Sequence, residues 1–149
     1  MVRRYNFIVA AVICLICLGV FYSLAQVRKI PDVAVSDPTS LVYSVDKVKK
    51  NKWYVTVSGW AIDRGKHTWR HANSIVLSNG AESYVLPTKL LARRDVEEMF
   101  ASDGKLYTQS GFFARGFRLF IPKGEYRVLI KNQRDEGTQI VDTGRTVRL

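Results

Sequence analysis

Apolar residues run without a break from Phe7 to Ala25, whereas from residue 41 onward they alternate with polar ones in short bursts. The first pattern belongs to a helix and the second to strands. The run of about 19 residues is just long enough to cross a hydrocarbon core roughly 30 Å thick. Arg3 and Arg4 precede it, and Arg28 and Lys29 follow it. These basic flanks are nearly balanced and lean only slightly toward an N-terminus inside. A short N-terminal end before a long C-terminal domain is the arrangement of a signal-anchor or a signal peptide. Ser23-Leu24-Ala25 resembles a small-x-small cleavage site, but the run is longer than the roughly 7–15 residues of a cleaved signal, which favours retention as an anchor. The expected organisation is a short cytoplasmic end (1–6), a transmembrane signal-anchor (7–25), a linker containing Pro31 and Pro38 (26–40) and an extracytoplasmic domain (41–149).

Within that domain the spacing predicts about eight short strands. Leu41–Val48 begins the first, and Lys49-Lys50-Asn51-Lys52 reads as a turn. From Trp53 to Asp63, Trp53, Val55 and Val57 share one face while Tyr54, Thr56 and Ser58 share the other, and Gly59 marks a bulge or a close backbone approach. Asn73–Ser78 and Ala81–Leu86 flank Asn79-Gly80, the strongest hairpin signal in the chain, because both residues accept positive φ. Leu90–Ala101 is the single helical candidate, with Val96, Met99 and Phe100 on one face. Strands follow over Gly111–Ile121, with Gly116 as a bulge candidate, through Tyr126, Val128 and Ile130, and over Gln139–Thr143 and Arg145–Leu149. Many short strands with regular turns and one short helix predict an all-β antiparallel sandwich.

Composition changes this picture in two ways. Lys and Arg number 23 against 13 Asp and Glu, a formal net charge of +10. Such a surface attracts acidic partners, whether lipid headgroups, anionic polysaccharide or nucleic acid. The basic residues are scattered singly through the strands rather than gathered in a run, so no nucleic acid is expected. The cysteines, Cys14 and Cys17, both fall inside the apolar run, which leaves no disulfide framework and no Cys-based metal site. Their C-x-x-C spacing lacks the electropositive setting that a redox pair needs.

Candidate chemistry is sparse. His67 and His71 are four apart, but Gly65 argues against a helix there and no third ligand is near, so no metal or cofactor is expected. Trp60 reads as core. Trp69, flanked by Arg64, Lys66, His67, Arg70 and His71, reads as a loop able to stack on a sugar ring and fork to an anion. The candidate ligand-binding set is therefore Arg64, His67, Trp69, Arg70 and His71. Arg93 and Asp95 read as a pair fixing the helix start, and Asp63 as a turn aspartate bonded to its own backbone. Glu97 and Glu98 are adjacent on the expected helix and point apart. No serine sits in a nucleophile elbow, so the chain reads as non-enzymatic.

Five pieces in order carry a resemblance. They are Val57-Ser58-Gly59-Trp60-Ala61-Ile62-Asp63, a strand hairpin through Asn79-Gly80, Arg93-Arg94-Asp95-Val96, Ser110-Gly111-Phe112 or Gly116-Phe117 before Ile121-Pro122, and Gly124-Glu125-Tyr126-Arg127-Val128. Over residues 41–149 this resembles the small immunoglobulin-like β-sandwich modules of bacterial envelope and surface-polysaccharide proteins, with their GWA-x-D, R-x-D-V, GF and G-x-Y-x-V segments. The resemblance implies that fold, an envelope setting and an accessory role without active-site residues; together with the expected anchor, the expected location is the inner membrane with the domain in the periplasm. The functional expectation is a membrane-anchored envelope protein that binds or scaffolds an anionic glycan or an envelope protein. The alternatives are a periplasmic inhibitor or phage-exclusion factor, and an accessory to an envelope polysaccharide enzyme.

Overall fold

A computed structural model describes residues 2–25, 27–36, 40–68, 71–135 and 137–149, with side chains for all of these except 2–7, 20, 23–25 and 71. The chain begins with helix α1 (Val2–Ala25). Among the described residues nine strands follow: β1 (Arg28–Pro31), β2 (Leu41–Lys50), β3 (Tyr54–Asp63), β4 (His71–Ser78), β5 (Glu82–Leu86), β6 (Thr88–Leu91), β7 (Gly111–Phe117), β8 (Glu125–Arg134) and β9 (Gly137–Arg148). A short helix, α2 (Arg94–Met99), lies between β6 and β7. The strands form two antiparallel sheets, ordered β1-β5-β4-β8-β9 and β2-β3-β7-β6.

Strand alternation explains why the sheets face each other. Val55, Val57 and Ala61 of β3 and Phe112 and Ala114 of β7 meet Ile75 and Leu77 of β4, Leu86 of β5, and Tyr126, Val128 and Ile130 of β8 in one buried core. The opposite faces are not simply solvated. Val76, Leu129 and Ile140 form a second cluster covered by Ile30 and Val33. Trp60 and Ile62 form a third with Val96 and Tyr107. The sandwich is thus an antiparallel pair of sheets, each with part of its outer face covered by a local segment.

Several expectations change. The stretch read as a linker supplies β1, whose residues pair with Glu82–Val85 of β5. Beyond it, the Ser36 N–H and hydroxyl both bond to the carbonyl of Ile140, at 2.7 and 3.1 Å. Two apolar residues, Ile30 and Val33, are too few to register as a period, yet they suffice to cover an outward-facing patch. Trp53 lies before β3 rather than in it and is exposed, because the turn comes at 51–53 and not at 49–52. The expected helix is present as one to two turns between strands, shorter than its outer bounds. β6 takes its first residues, α2 keeps six, and a 3₁₀ turn over Ala101–Asp103 closes it. The β6 pairing with β7 there overrides a helical pattern only two turns long. Leu119 and Phe120 belong to a 3₁₀ turn, not to a strand. The two expected terminal strands are one, β9, with a register shift opposite Val128 and Leu129.

The hairpin at 79–80 is present, but only Gly80 takes positive φ (86°). Asn79 instead uses its side-chain Oδ1 to accept the N–H groups of Ala81 and Glu82, at 3.0 and 2.8 Å. Neither Gly59 nor Gly116 is a bulge, since β3 and β7 pair without interruption from Tyr54↔Phe117 to Trp60↔Gly111. The bulge lies on the neighbouring strand, between Val45 and Lys47 of β2. At the start of β8, the Tyr126 hydroxyl donates 2.9 Å to the carbonyl of Pro122, pinning the preceding turn to the core.

α1 leads into the sandwich at one end. Phe21 and Tyr22 meet Phe117 and Phe120 edge to face, with ring centroids 6.5 and 5.6 Å apart. Its described side chains, at 8–19, 21 and 22, are all exposed. Among the described residues no helix is long and apolar enough to cross a membrane.

Candidate functional site

β3 carries the chain from Tyr54, beside Phe117, to Asp63 at the opposite end of the sandwich, a path of ~30 Å at strand rise. The loop after Asp63 holds the sequence-derived candidates. Of these, Trp69 and Arg70 lie outside the described residues, as does the side chain of His71. The His71 backbone starts β4, in register with Arg134. Arg64 and His67 are described, and both are engaged within the protein.

The Arg64 guanidinium forks onto Asp103, Nε to Oδ2 at 3.1 Å and Nη2 to Oδ1 at 2.9 Å. It also sits over the Phe100 ring, 5.8 Å from the centroid. This pairing, the larger cause, raises the Arg64 pKa and lowers that of Asp103. Tyr107 is buried beneath. Its hydroxyl accepts the Gly65 N–H at 2.9 Å and donates to Asp103 Oδ2 at 3.3 Å, and burial above all pushes its pKa up. His67 accepts the Leu106 N–H through Nδ1 at 3.1 Å. Thr68 bonds back to the Leu106 carbonyl through both its N–H (3.0 Å) and its hydroxyl (3.1 Å). The 64–68 segment is therefore stapled along 103–107. These partners lie about forty residues away in sequence, and no local pattern announces them.

A second set of polar groups sits just inside. Asp63, expected to bond its own turn, is fully buried, and its Oδ2 lies 3.0 Å from Arg134 Nη2 and 3.9 Å from Lys66 Nζ. The Arg134 N–H groups are aimed mainly elsewhere. Nε donates to Asn132 Oδ1 at 3.1 Å, and Nη2 to Ser40 Oγ at 3.3 Å and to Gln139 Oε1. Asn132 then donates to Asn73 Oδ1 (2.7 Å), and Asn73 to the Ala61 carbonyl (3.0 Å). This relay ties β3 to β4 and β8, and so joins the two sheets at this end. Asn73 looks like an ordinary polar residue of a strand, whereas 132–137 reads from the sequence as a polar turn; β8 in fact runs on through Arg134, which carries Asn132 and Arg134 into the sheet.

Arg93 and Asp95 do pair, as expected, through two hydrogen bonds of 2.8 and 2.7 Å, and Arg93 reaches Asp46 of β2 at 2.7 Å as well. The hydrogen bonds from Arg93 hold the Asp95 carboxyl at about 2. A depressed carboxyl contributes stability that is complete above its unfolded value, near 4, and is lost as pH falls toward 2. A carboxyl NMR titration is expected to find Asp95 near 2, and Arg93→Gln to return it toward the ordinary carboxylate range. An unchanged Asp95 titration in that variant would sink the assignment. Glu97 does not face Glu98's way and accepts the Thr108 hydroxyl at 2.9 Å.

Among the described residues no group of three or more His, Cys, Asp or Glu side chains could hold a metal ion. Comparison with family models, curated proteins and solved structures found no match.

Proposed function

We propose that this chain is a non-enzymatic, membrane-anchored protein of the bacterial envelope. In this reading α1 crosses the inner membrane, and an immunoglobulin-like sandwich in the periplasm holds an anionic glycan at its far end. The helix supports the anchor. It runs 24 residues, ~36 Å at 1.5 Å per residue, and its described apolar side chains, Ile8, Val9, Val12, Ile13, Leu15, Ile16 and Leu18 among them, are all exposed. Apolar side chains left exposed over 8–19, 21 and 22 suit an apolar solvent better than water.

Strand order supports the immunoglobulin-like reading. The sheet β2-β3-β7-β6 corresponds to the A-B-E-D arrangement, and β5-β4-β8-β9 to C′-C-F-G, with β1 added at the edge. The Tyr126 bond to Pro122 supports it independently, since a tyrosine near the start of strand F that bonds back a few residues is the tyrosine corner of that fold.

The observation that carries the binding role is the separation of ends. α1 meets the sandwich at Phe117 and Phe120, so the described 64–68 segment, braced on 103–107, lies ~30 Å away along β3. Arg64 and His67 then serve as supports for the loop, and Trp69 and Arg70 are its candidate contacts. The test is a glycan array and envelope pull-down with the full chain in detergent, wild type beside Trp69→Ala. Salt-sensitive glycan binding lost in the variant is the expected result. Capture of a protein partner with no glycan signal would replace this reading with the inhibitor or exclusion-factor one, and retained glycan binding in Trp69→Ala would remove the loop from it.

A further inference from the structure

The end of the sandwich opposite the 63–71 loop carries apolar side chains that the fold does not use. Trp53, on the β2–β3 turn, is 62% exposed, and Leu119, on the 3₁₀ turn after β7, is 88% exposed. Both line a groove of about 410 Å³ with Ile121 and the cations Lys52, Arg118 and Lys123, and among the described residues no acidic side chain lines it. Lys52 lies over the Trp53 ring, 5.2 Å from its centroid. Arg118 donates to the Asn51 carbonyl at 2.6 Å, which ties the two turns together as one surface.

We propose that this end of the sandwich seats on the anionic phospholipid headgroups of the membrane that α1 enters, with Leu119 and Trp53 reaching the acyl boundary and Lys52 and Lys123 pairing with phosphates. The proposal rests on the anchor reading of α1. Three observations carry it. The surface is continuous with the helix end, since Tyr22 meets Phe120 and Phe21 meets Phe117, on the same turn as Leu119 or one residue before it. Its chemistry is that of a membrane interface, an indole and an aliphatic tip ringed by flexible cations. Its charge is complementary to an anionic leaflet, which attracts basic residues held near its surface. Seating this end would also leave the 64–68 segment at the end of the sandwich away from the bilayer.

The experiment uses the full chain, with Cys14→Ala and Cys17→Ala, reconstituted in vesicles of phosphatidylcholine with or without phosphatidylglycerol. Single cysteines are introduced by Leu119→Cys, by Met99→Cys on the exposed side of α2, and by Leu15→Cys in α1. Each carries an environment-sensitive fluorophore, and the vesicles carry a lipid-borne quencher. All three positions are exposed, so the substitutions leave the core intact.

The expected result is a blue-shifted emission at 119, quenched several-fold more than at 99 in anionic vesicles. The excess should fall at least twofold without phosphatidylglycerol or in Lys52→Gln/Lys123→Gln. Equal quenching at 119 and 99 would overturn the proposal. If position 15 were quenched in that case, the anchor reading would survive alone, and if it were not, both would fall. Strong quenching at 119 with none at 15 would keep the surface contact and remove the anchor. Quenching at 119 that ignores both lipid charge and the two lysines would overturn the headgroup recognition.

Discussion

Replacing Arg134 with alanine is expected to destabilise the protein by about 3–5 kcal/mol, the cost of leaving one partner of a buried pair uncompensated. Asp63 is fully buried, and Arg134 Nη2 at 3.0 Å is the nearer of the two cations beside it, Lys66 Nζ being 3.9 Å away. The same guanidinium supports Asn132 and reaches Ser40 and Gln139, so its loss also strips donors from the relay that joins the sheets. Arg134→Lys should recover little, because one ammonium cannot span partners that the planar fork serves together. Asp63→Asn/Arg134→Met should be less destabilised than Arg134→Ala, since it removes both charges at once. Urea unfolding of the full chain in detergent measures each. A loss below about 1 kcal/mol for Arg134→Ala, the range of an exposed pair, would mean that Asp63 finds its counter-charge elsewhere.

Gly59→Ala is the second large effect, expected at about 3 kcal/mol or more, the upper end for overpacking. A Cβ at this position would stand 2.1 Å from the carbonyl oxygen of Ser44, 2.9 Å from Phe112 Cζ and 3.0 Å from Val45 Cα. A flexible side-chain tip could retreat from such a contact. The Ser44 oxygen cannot, because it belongs to β2 in the ladder where Val45 faces Gly59. The strands must separate or the ladder must shift, beside the β2 bulge between Val45 and Lys47. Unfolding in urea gives the loss, and amide exchange across Leu41–Lys50 should rise with it. A variant with an unchanged midpoint and unchanged exchange in β2 would show that the two strands tolerate a wider spacing.

The residues that were readable in advance share one property: their signal is local. Val55 and Val57 alternate with polar neighbours, so β3 and its inward face follow from the period of two. Asn79-Gly80 marks its turn by residue type, Gly80 through positive φ and Asn79 through side-chain capping. Arg93 and Asp95 are two apart and pair as their spacing suggests. The 63–71 loop was legible as a place where chemistry collects, but not as a geometry. Arg64 looked like a free anion hook and is bound to Asp103, 39 positions away.

Local pattern therefore determined the strand-rich class of this protein, most of its strands and turns, and the apolar helix that precedes them. The third dimension decided everything that depends on pairs distant in sequence. It turned the stretch before residue 40 into an edge strand, because β5 offered an unpaired side and Val76 and Leu129 needed cover. It drew the first two residues of a short helical pattern, Leu90 and Leu91, into β6, because pairing with β7 outweighs the frayed start of a short helix. It buried Asp63 against Arg134 and set Trp53 and Leu119 outside. The physical reason is the same in each case. Propensity and periodicity are properties of neighbouring residues, whereas burial and ion pairing are settled by which surfaces the finished sheets bring together.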